Sequence, residues 1–152
     1  MKKILLINPP YQDYIYSFKQ ARNFHISLGL AYLASHLKKH NFAVDVLDAN
    51  AFVLSREQTV EKILKSDANT IGITCLTSTL PLVYDICRQV KKQSNNSRTI
   101  IVGGPHVTFM DRETLSDCKE IDIIVRGEGE ETLKELMESK PLNEIRGISF
   151  RD

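Results

Sequence analysis

The chain has 152 residues, 42% of them hydrophobic and 26% charged, a composition typical of a single globular domain. Its net charge of +1 argues against nucleic-acid or anionic-membrane partners, and no apolar run approaches the ~20 residues of a membrane span. The three cysteines are odd in number and widely spaced, so we expect a reducing, cytoplasmic environment without a disulfide framework or a metal cluster.

Short apolar strands alternate with amphipathic helices from one end of the chain to the other. The first strand is stopped by Asn8-Pro9-Pro10, and a long polar loop follows it before the first helix. Strands are predicted at 3–7, 43–47, 70–75, 99–102 and 121–125, and 148–150 fits a last short strand. Helices are predicted at 27–40, after a capping box at Ser55 and Gln58, after 77–81, at 112–117 and from 130 onward.

This alternation determines the predicted architecture. Successive β-α units require right-handed crossovers and a parallel sheet with helices on both faces. We therefore predict an α/β, Rossmann-like (flavodoxin-like), doubly wound parallel sheet of five strands in the order 2-1-3-4-5, in three layers. Ligands of such sheets bind at the carboxyl ends of the strands, beside the point where the strand order reverses. The loops at 8–16, 76–79 and 103–108 should meet there.

Two glycines, Gly103 and Gly104, end the buried run of strand four. They remove two Cβ atoms where a ligand would lie against the backbone; the alternative is a tight turn that needs a positive φ. Phosphate ligands common in this fold are disfavoured, because Pro9 and Pro10 lack the N–H donors of a phosphate loop after strand one. The dinucleotide-binding glycine motif is also missing from that loop.

Six segments together carry a resemblance to a known family. They are Asn8-Pro9-Pro10, residues 28–34, Asp48, residues 103–108 (Gly-Gly-Pro-His-Val-Thr), residues 126–130 (Arg-Gly-Glu-Gly-Glu) and residues 145–151. In these segments, which run almost end to end, the chain resembles the amino-terminal cobalamin-binding domain of cobalamin-dependent radical S-adenosylmethionine proteins. That group includes the anaerobic magnesium-protoporphyrin monomethyl ester cyclases and various methylases.

The resemblance implies that cobalamin binds in the crevice at the carboxyl edge of the sheet. By position in the motifs, Thr77 and Ser78 would offer hydroxyls to the cofactor's nucleotide tail; the alternative role for both is capping of the next helix. Gly103 and Gly104 would give the tail room, and we expect Gly104→Val to obstruct it while leaving the sheet intact. The implied cofactor-binding residues are Pro9, Pro10, Tyr14, Leu76, Thr77, Ser78, Gly103, Gly104, Pro105, His106, Gly127 and Glu128.

The chain lacks one signature that many cobalamin domains carry. No Asp-x-His-x-x-Gly follows strand one, so the resemblance implies a base-off corrinoid with no protein imidazole on cobalt. Tyr11, Tyr14 and Tyr16 would then shape the lower face of the corrin, or simply cover the loop, and His25 is the alternative cobalt ligand. We assign no catalytic residue and no metal ligand.

The family's catalytic half, with its C-x-x-x-C-x-x-C cluster motif, is not found within residues 1–152. The resemblance therefore implies an amino-terminal fragment, non-catalytic alone, that presents cobalamin in cis to a domain binding S-adenosylmethionine and a 4Fe-4S cluster. The parent protein would methylate or oxidatively cyclise a small-molecule substrate. The alternative is a cofactor-free interaction or substrate-recognition domain, in which Tyr14, Tyr16 or Phe109 plugs the crevice.

Overall fold

A computed structural model describes residues 2–11 and 27–151 of the chain. The strands are β1 (Lys3–Asn8), β2 (Ala43–Asp48), β3 (Thr70–Thr74), β4 (Thr99–Gly103), β5 (Ile123–Val125) and β6 (Ile148–Phe150). The helices are α1 (Leu28–Lys39), α2 (Arg56–Lys65), α3 (Leu80–Gln93), α4 (Pro105–Phe109), α5 (Asp111–Asp117) and α6 (Glu130–Met137). Two short 3-10 turns, Thr77–Thr79 and Leu142–Glu144, precede α3 and β6.

The strands form one sheet in the order β2-β1-β3-β4-β5-β6. The first five are parallel and have the predicted order, which confirms the doubly wound α/β fold. The sheet has one strand more than the five predicted, because β6 pairs antiparallel with β5. Contacts beyond the ladder fix this return: the Arg126 amide donates to Gly147 O at 2.8 Å, and the Arg126 guanidinium donates to Ile148 O at 3.2 Å.

Apolar side chains alternate along the strands and build a core on each face of the sheet. One face packs against α2, α3, α4 and α5, with Ile71 and Ile100 fully buried among them. The opposite face packs against α1 and α6, which contribute Leu30, Leu37 and Leu133. The helices therefore cover both faces and give the three predicted layers. The space between α1, α6 and the sheet contains the candidate site.

Local sequence signals behave as expected at two helix starts. The Ser55 hydroxyl accepts the Gln58 amide at 3.2 Å and the Ser55 amide donates to Gln58 Oε1 at 2.9 Å, which confirms the capping box. Pro81 lies in the first turn of α3. Helix α4 is additional, since the sequence predicts a loop there. Among the described residues, no helix is long and apolar enough to cross a membrane.

Candidate functional site

An open cavity of about 210 Å³ lies at the carboxyl edge of the sheet, between the sheet and helices α1 and α6. It is smaller than the ~300–1,000 Å³ of sites that enclose a whole drug-sized ligand, so it suits one arm of a larger molecule. Its lining residues are Leu6, Ser27, Gly29, Leu30, Leu33, Gly72, Ile73, Thr74, Ile101, Gly103, Gly104, Pro105, Val125, Gly127, Glu128, Gly129, Glu130 and Leu133.

The floor of the cavity is a strip of sheet with little side-chain cover. Because side chains alternate along a strand, Gly72 and Thr74 of β3 face the same side as Gly103 of β4. In the parallel register, Thr74 lies opposite Gly103, and Gly72 lies opposite Ile101. A Cβ at Gly103 would meet nothing closer than Val125 O at 3.5 Å. Gly103 therefore leaves space that the fold itself does not need to leave open.

Gly104 has a different role from Gly103. Its φ is +112° and its ψ is 176°, a region that only glycine adopts readily. A Cβ there would lie 2.7 Å from Cys75 O and 2.9 Å from Cys75 N, which are backbone atoms directly after β3. The expectation that Gly104→Val would leave the sheet intact is therefore wrong. Gly104 is therefore the glycine that the turn needs for its positive φ, whereas Gly103 is the glycine that leaves room for a ligand.

The loop after β3 meets α4 at the edge of the sheet. The hydroxyl of Thr77 lies 3.1 Å from Nδ1 of His106, and Thr77 and Ser78 are both exposed. Neither caps α3; the Thr79 hydroxyl instead bonds within the turn, accepting the Leu76 amide at 3.0 Å. Thr77 and Ser78 thus remain available to a ligand above the edge, although neither lines the cavity.

The ends of β1 and β2 are joined beside the cavity. Asn8 Nδ2 donates to Asp48 Oδ1 at 3.0 Å, and the Asn8 carbonyl accepts the Ala49 amide at 2.9 Å. Pro9 and Pro10 that follow are buried, so they stiffen this end of β1. Burial also raises the pKa of Tyr11, the next residue in the chain.

The chemistry of the lining is that of a binding site. Most of the lining residues are aliphatic or glycine. The polar side chains among them are Ser27, Thr74, Glu128 and Glu130. No lysine, arginine or histidine is among the described lining residues, so these residues offer an anionic group no cationic side chain. Burial raises the pKa of the nearby Cys75 thiol to about 12, which keeps it protonated and unreactive. The described part of the chain brings no three metal-ligating side chains together.

The predicted site residues divide into two groups in the structure. Five of them line the cavity, while Pro9, Pro10, Leu76, Thr77, Ser78 and His106 lie outside its lining. Tyr14 falls in the segment outside the described residues, as do Tyr16 and His25. The five lining residues are Gly103, Gly104, Pro105, Gly127 and Glu128.

Sequence reasoning missed the inner half of the cavity. A glycine inside a strand, as at Gly72, is a signal for close approach of another group, and this signal could have located it. The wall residues Leu30, Leu33 and Leu133 gave no such signal, because their spacing is that of any buried helix stripe.

Phe109, a residue expected to plug the crevice in a cofactor-free domain, does not enter it. Its side chain is 83% exposed and is not among the lining residues. Met110 beside it is also exposed, as is Phe52 in the loop after β2. These apolar side chains come after the carboxyl ends of β4 and β2 in the chain.

Comparisons with known proteins identify the family to which the chain belongs. The model of the B12 binding domain family matches residues 18–137. An uncharacterized methyltransferase of Pyrococcus horikoshii is 36% identical over 99% of this chain and 33% of its own length. The anaerobic magnesium-protoporphyrin IX monomethyl ester cyclase of Rubrivivax gelatinosus is 37% identical over 71% of this chain and 20% of its own.

Solved structures show the same fold. The cobalamin-dependent S-adenosylmethionine radical enzyme OxsB, solved with aqua-cobalamin and S-adenosylmethionine bound, superposes over all of this chain and 21% of its own, with a TM-score of 0.83 and 22% identity. The radical S-adenosylmethionine methyltransferase TsrM from Kitasatospora setae, with cobalamin and a 4Fe-4S cluster bound, gives a TM-score of 0.79 at 18% identity. The chain spans about a third or less of the length of these relatives.

Proposed function

The chain belongs to the B12 binding domain family, and we propose that it holds cobalamin base-off, with the nucleotide tail in the cavity between the sheet and helices α1 and α6. The observation that carries this proposal is the unfilled strip at Gly103, next to aliphatic walls. A corrin ring is far too large for such a space and would lie above the strand ends. Its tail ends in a flat aromatic base, which suits a narrow apolar slot.

The residues of the cavity fit that group. A Cβ at Gly103 would project into the slot without clashing with protein atoms, so the space beside it is free for a ligand. Ser27 and Thr74 provide hydroxyls along walls that are otherwise aliphatic. The backbone at Gly127 is open, since a Cβ added there would meet nothing within 4 Å. Thr77 and Ser78, exposed at the same edge, would contact the part of the cofactor outside the slot.

The base-off state follows from where the tail would lie. A base held in the slot would be unavailable to ligate cobalt. None of the described lining residues is a histidine, so the walls offer no imidazole in its place. When bound, cobalamin would supply its exposed upper face for methyl transfer or oxidative cyclisation. The chain's own contribution is to bind and orient it.

We further propose that residues 1–152 are the amino-terminal part of a longer protein and present cobalamin in cis to a radical S-adenosylmethionine domain. The lengths of the relatives support this proposal, because the chain matches only about a third or less of each relative's length. Phe109, Met110 and Phe52 are exposed apolar side chains that follow the carboxyl ends of β4 and β2, and such a domain would cover them. That domain would hold the 4Fe-4S cluster, S-adenosylmethionine and the small-molecule substrate. The free thiols of the three cysteines support a cytoplasmic location.

The first test is a titration of the chain with hydroxocobalamin, followed by its visible absorption spectrum. Saturable binding with a base-off spectrum is the expected result. A saturable complex with a base-on spectrum would contradict insertion of the tail. No binding by the chain or by a protein extended through the following domain would favour the cofactor-free interaction domain.

The matched variants are Gly103→Val and Thr99→Val. Both lie on β4, but Gly103 faces the slot whereas Thr99 is exposed at the opposite end of the strand. Filling the slot should weaken cobalamin binding by about tenfold or more, equivalent to about 1.4 kcal/mol, while Thr99→Val binds normally. Equal affinity of the folded Gly103→Val protein would remove the slot from the proposal.

A further inference from the structure

One threonine hydroxyl connects two loops that form the rim of the cavity. Thr108, in α4, donates its hydroxyl proton to Gly104 O at 2.9 Å. The Thr108 hydroxyl oxygen in turn accepts the amide proton of Gly127, with a nitrogen–oxygen distance of 3.0 Å. Gly104 and Gly127 both line the cavity, whereas Thr108 does not. The side chain therefore joins the loop after β4 to the loop after β5 without occupying the site.

The two loops differ in how firmly the rest of the fold holds them. Gly104 rests against the backbone of β3, where the Cys75 amide donates to Gly103 O at 2.8 Å and the His106 amide donates to Cys75 O at 3.3 Å. Gly127 has a φ of +69° and open space around it, and Arg126, Gly127 and Glu128 are all exposed. Backbone hydrogen bonds and close contact with Cys75 therefore hold the first loop, whereas Gly127 has open space beside it and its amide is held by the Thr108 hydroxyl.

We infer that Thr108 is a positioning residue that fixes the Gly127-Glu128 rim over the cavity by tying it to the firmly held Gly104 turn. This inference rests on the proposed cobalamin site for its effect on binding, but the brace itself is a property of the unliganded chain. An exposed glycine segment without that bond samples many conformations, and a ligand that needs the rim in place must then order it on binding. A hydroxyl is required, because the same oxygen acts as both donor and acceptor.

The test compares Thr108→Val, Thr108→Ser and Thr132→Val in the full chain. Valine keeps the branched shape but lacks the hydroxyl, and serine retains the hydroxyl. Thr132→Val is the control, because it removes another threonine hydroxyl bond nearby, from Thr132 to Arg146 O at 3.2 Å, between residues outside the cavity lining. Hydrogen exchange of the Gly127 amide, followed by NMR without cobalamin, measures the brace directly.

Thr108→Val should accelerate exchange of the Gly127 amide by about fivefold, the worth of one ordinary hydrogen bond. It should raise the Kd for hydroxocobalamin by about three- to tenfold, the cost of ordering a short segment. Thr108→Ser should restore both values, and Thr132→Val should change neither. Unchanged Gly127 exchange in the valine variant would overturn the brace.

The binding measurement separates this inference from the cofactor proposal. If the parent chain binds cobalamin and Thr108→Val binds it equally well, Thr108 does not position the rim for the ligand, and the inference is refuted. If neither the unsubstituted chain nor the protein extended through the following domain binds cobalamin, the cofactor proposal fails, and the amide exchange alone then supports or overturns the brace.

Discussion

Gly104→Ala should destabilise the domain far more than Gly103→Ala, although the two glycines are adjacent in the motif. At Gly104, an alanine is forced into a backbone region reserved for glycine, at about 1–3 kcal/mol. Its Cβ would also lie 2.7 Å from a carbonyl oxygen of Cys75, and relief of such a contact costs about 1–3 kcal/mol. The sum is about 2–6 kcal/mol. Since 1 kcal/mol shifts Tm by about 2–4 °C in a domain of this size, Tm should fall by about 4–24 °C.

The assay is thermal unfolding of the unliganded protein, followed by circular dichroism, with urea unfolding as a second measure. Gly103→Ala serves as the control, because its Cβ would meet nothing closer than Val125 O at 3.5 Å, an ordinary contact. Its Tm should stay level or rise slightly, since glycine within a strand costs about 0.5–1 kcal/mol relative to alanine. Equal Tm values for Gly104→Ala and the parent chain would refute the assignment of Gly104 to the turn.

Two further predictions concern the free energy of unfolding. Ser55→Ala removes the capping box of α2 and should lower the free energy of unfolding by about 0.5–2 kcal/mol, measured by urea denaturation, with Ser55→Thr retaining most of it. For Cys75, burial raises the folded pKa to about 12, while an unfolded thiol ionises near pH 8.5. Above about pH 8.5 the unfolded state therefore loses its proton first, and stability falls as pH rises toward about 12. Cys75→Ala should flatten that slope in urea titrations; an unchanged slope would contradict a buried, protonated thiol.

The order of the first five strands could be predicted from the sequence because each strand and helix has its own periodic signal. The antiparallel direction of the sixth strand could not be predicted in this way. Ile148–Phe150 has only three residues, and its direction depends on partners far along the chain. Arg126 hydrogen-bonds to Gly147 and Ile148. The Arg151 guanidinium donates to Leu115 O at 2.8 Å. No local pattern predicts which way such a segment turns.

The sequence predicted the residues at the mouth of the cavity but not those that line its inner part. The sequence indicates turns at Gly104 and Gly127, because glycines that follow a buried strand are typical of positive-φ turns. The depth of the slot depends on how far α1 and α6 stand from the sheet, and this distance is set by packing of Leu30, Leu33 and Leu133. Similarly, the sequence places Thr108 only near the glycines, and the fold brings its hydroxyl to Gly127.

Three glycines, Gly72 in β3, Gly103 at the end of β4 and Gly104 directly after it, differ in whether the fold itself requires them. Gly104 is required by the backbone, and Gly72 is required in part by packing, because a Cβ there would lie 2.8 Å from Leu6 Cδ2, the end of a flexible side chain. Gly103 has room for a Cβ and an ordinary strand position, so the fold gains nothing from the absence of a side chain there. Glycine within a strand is less stable than alanine by about 0.5–1 kcal/mol. The proposed tail slot explains why glycine is present at this position despite that destabilisation. Gly103→Ala should therefore reveal a trade-off, with an unliganded domain at least as stable as the parent chain and a weaker hold on cobalamin.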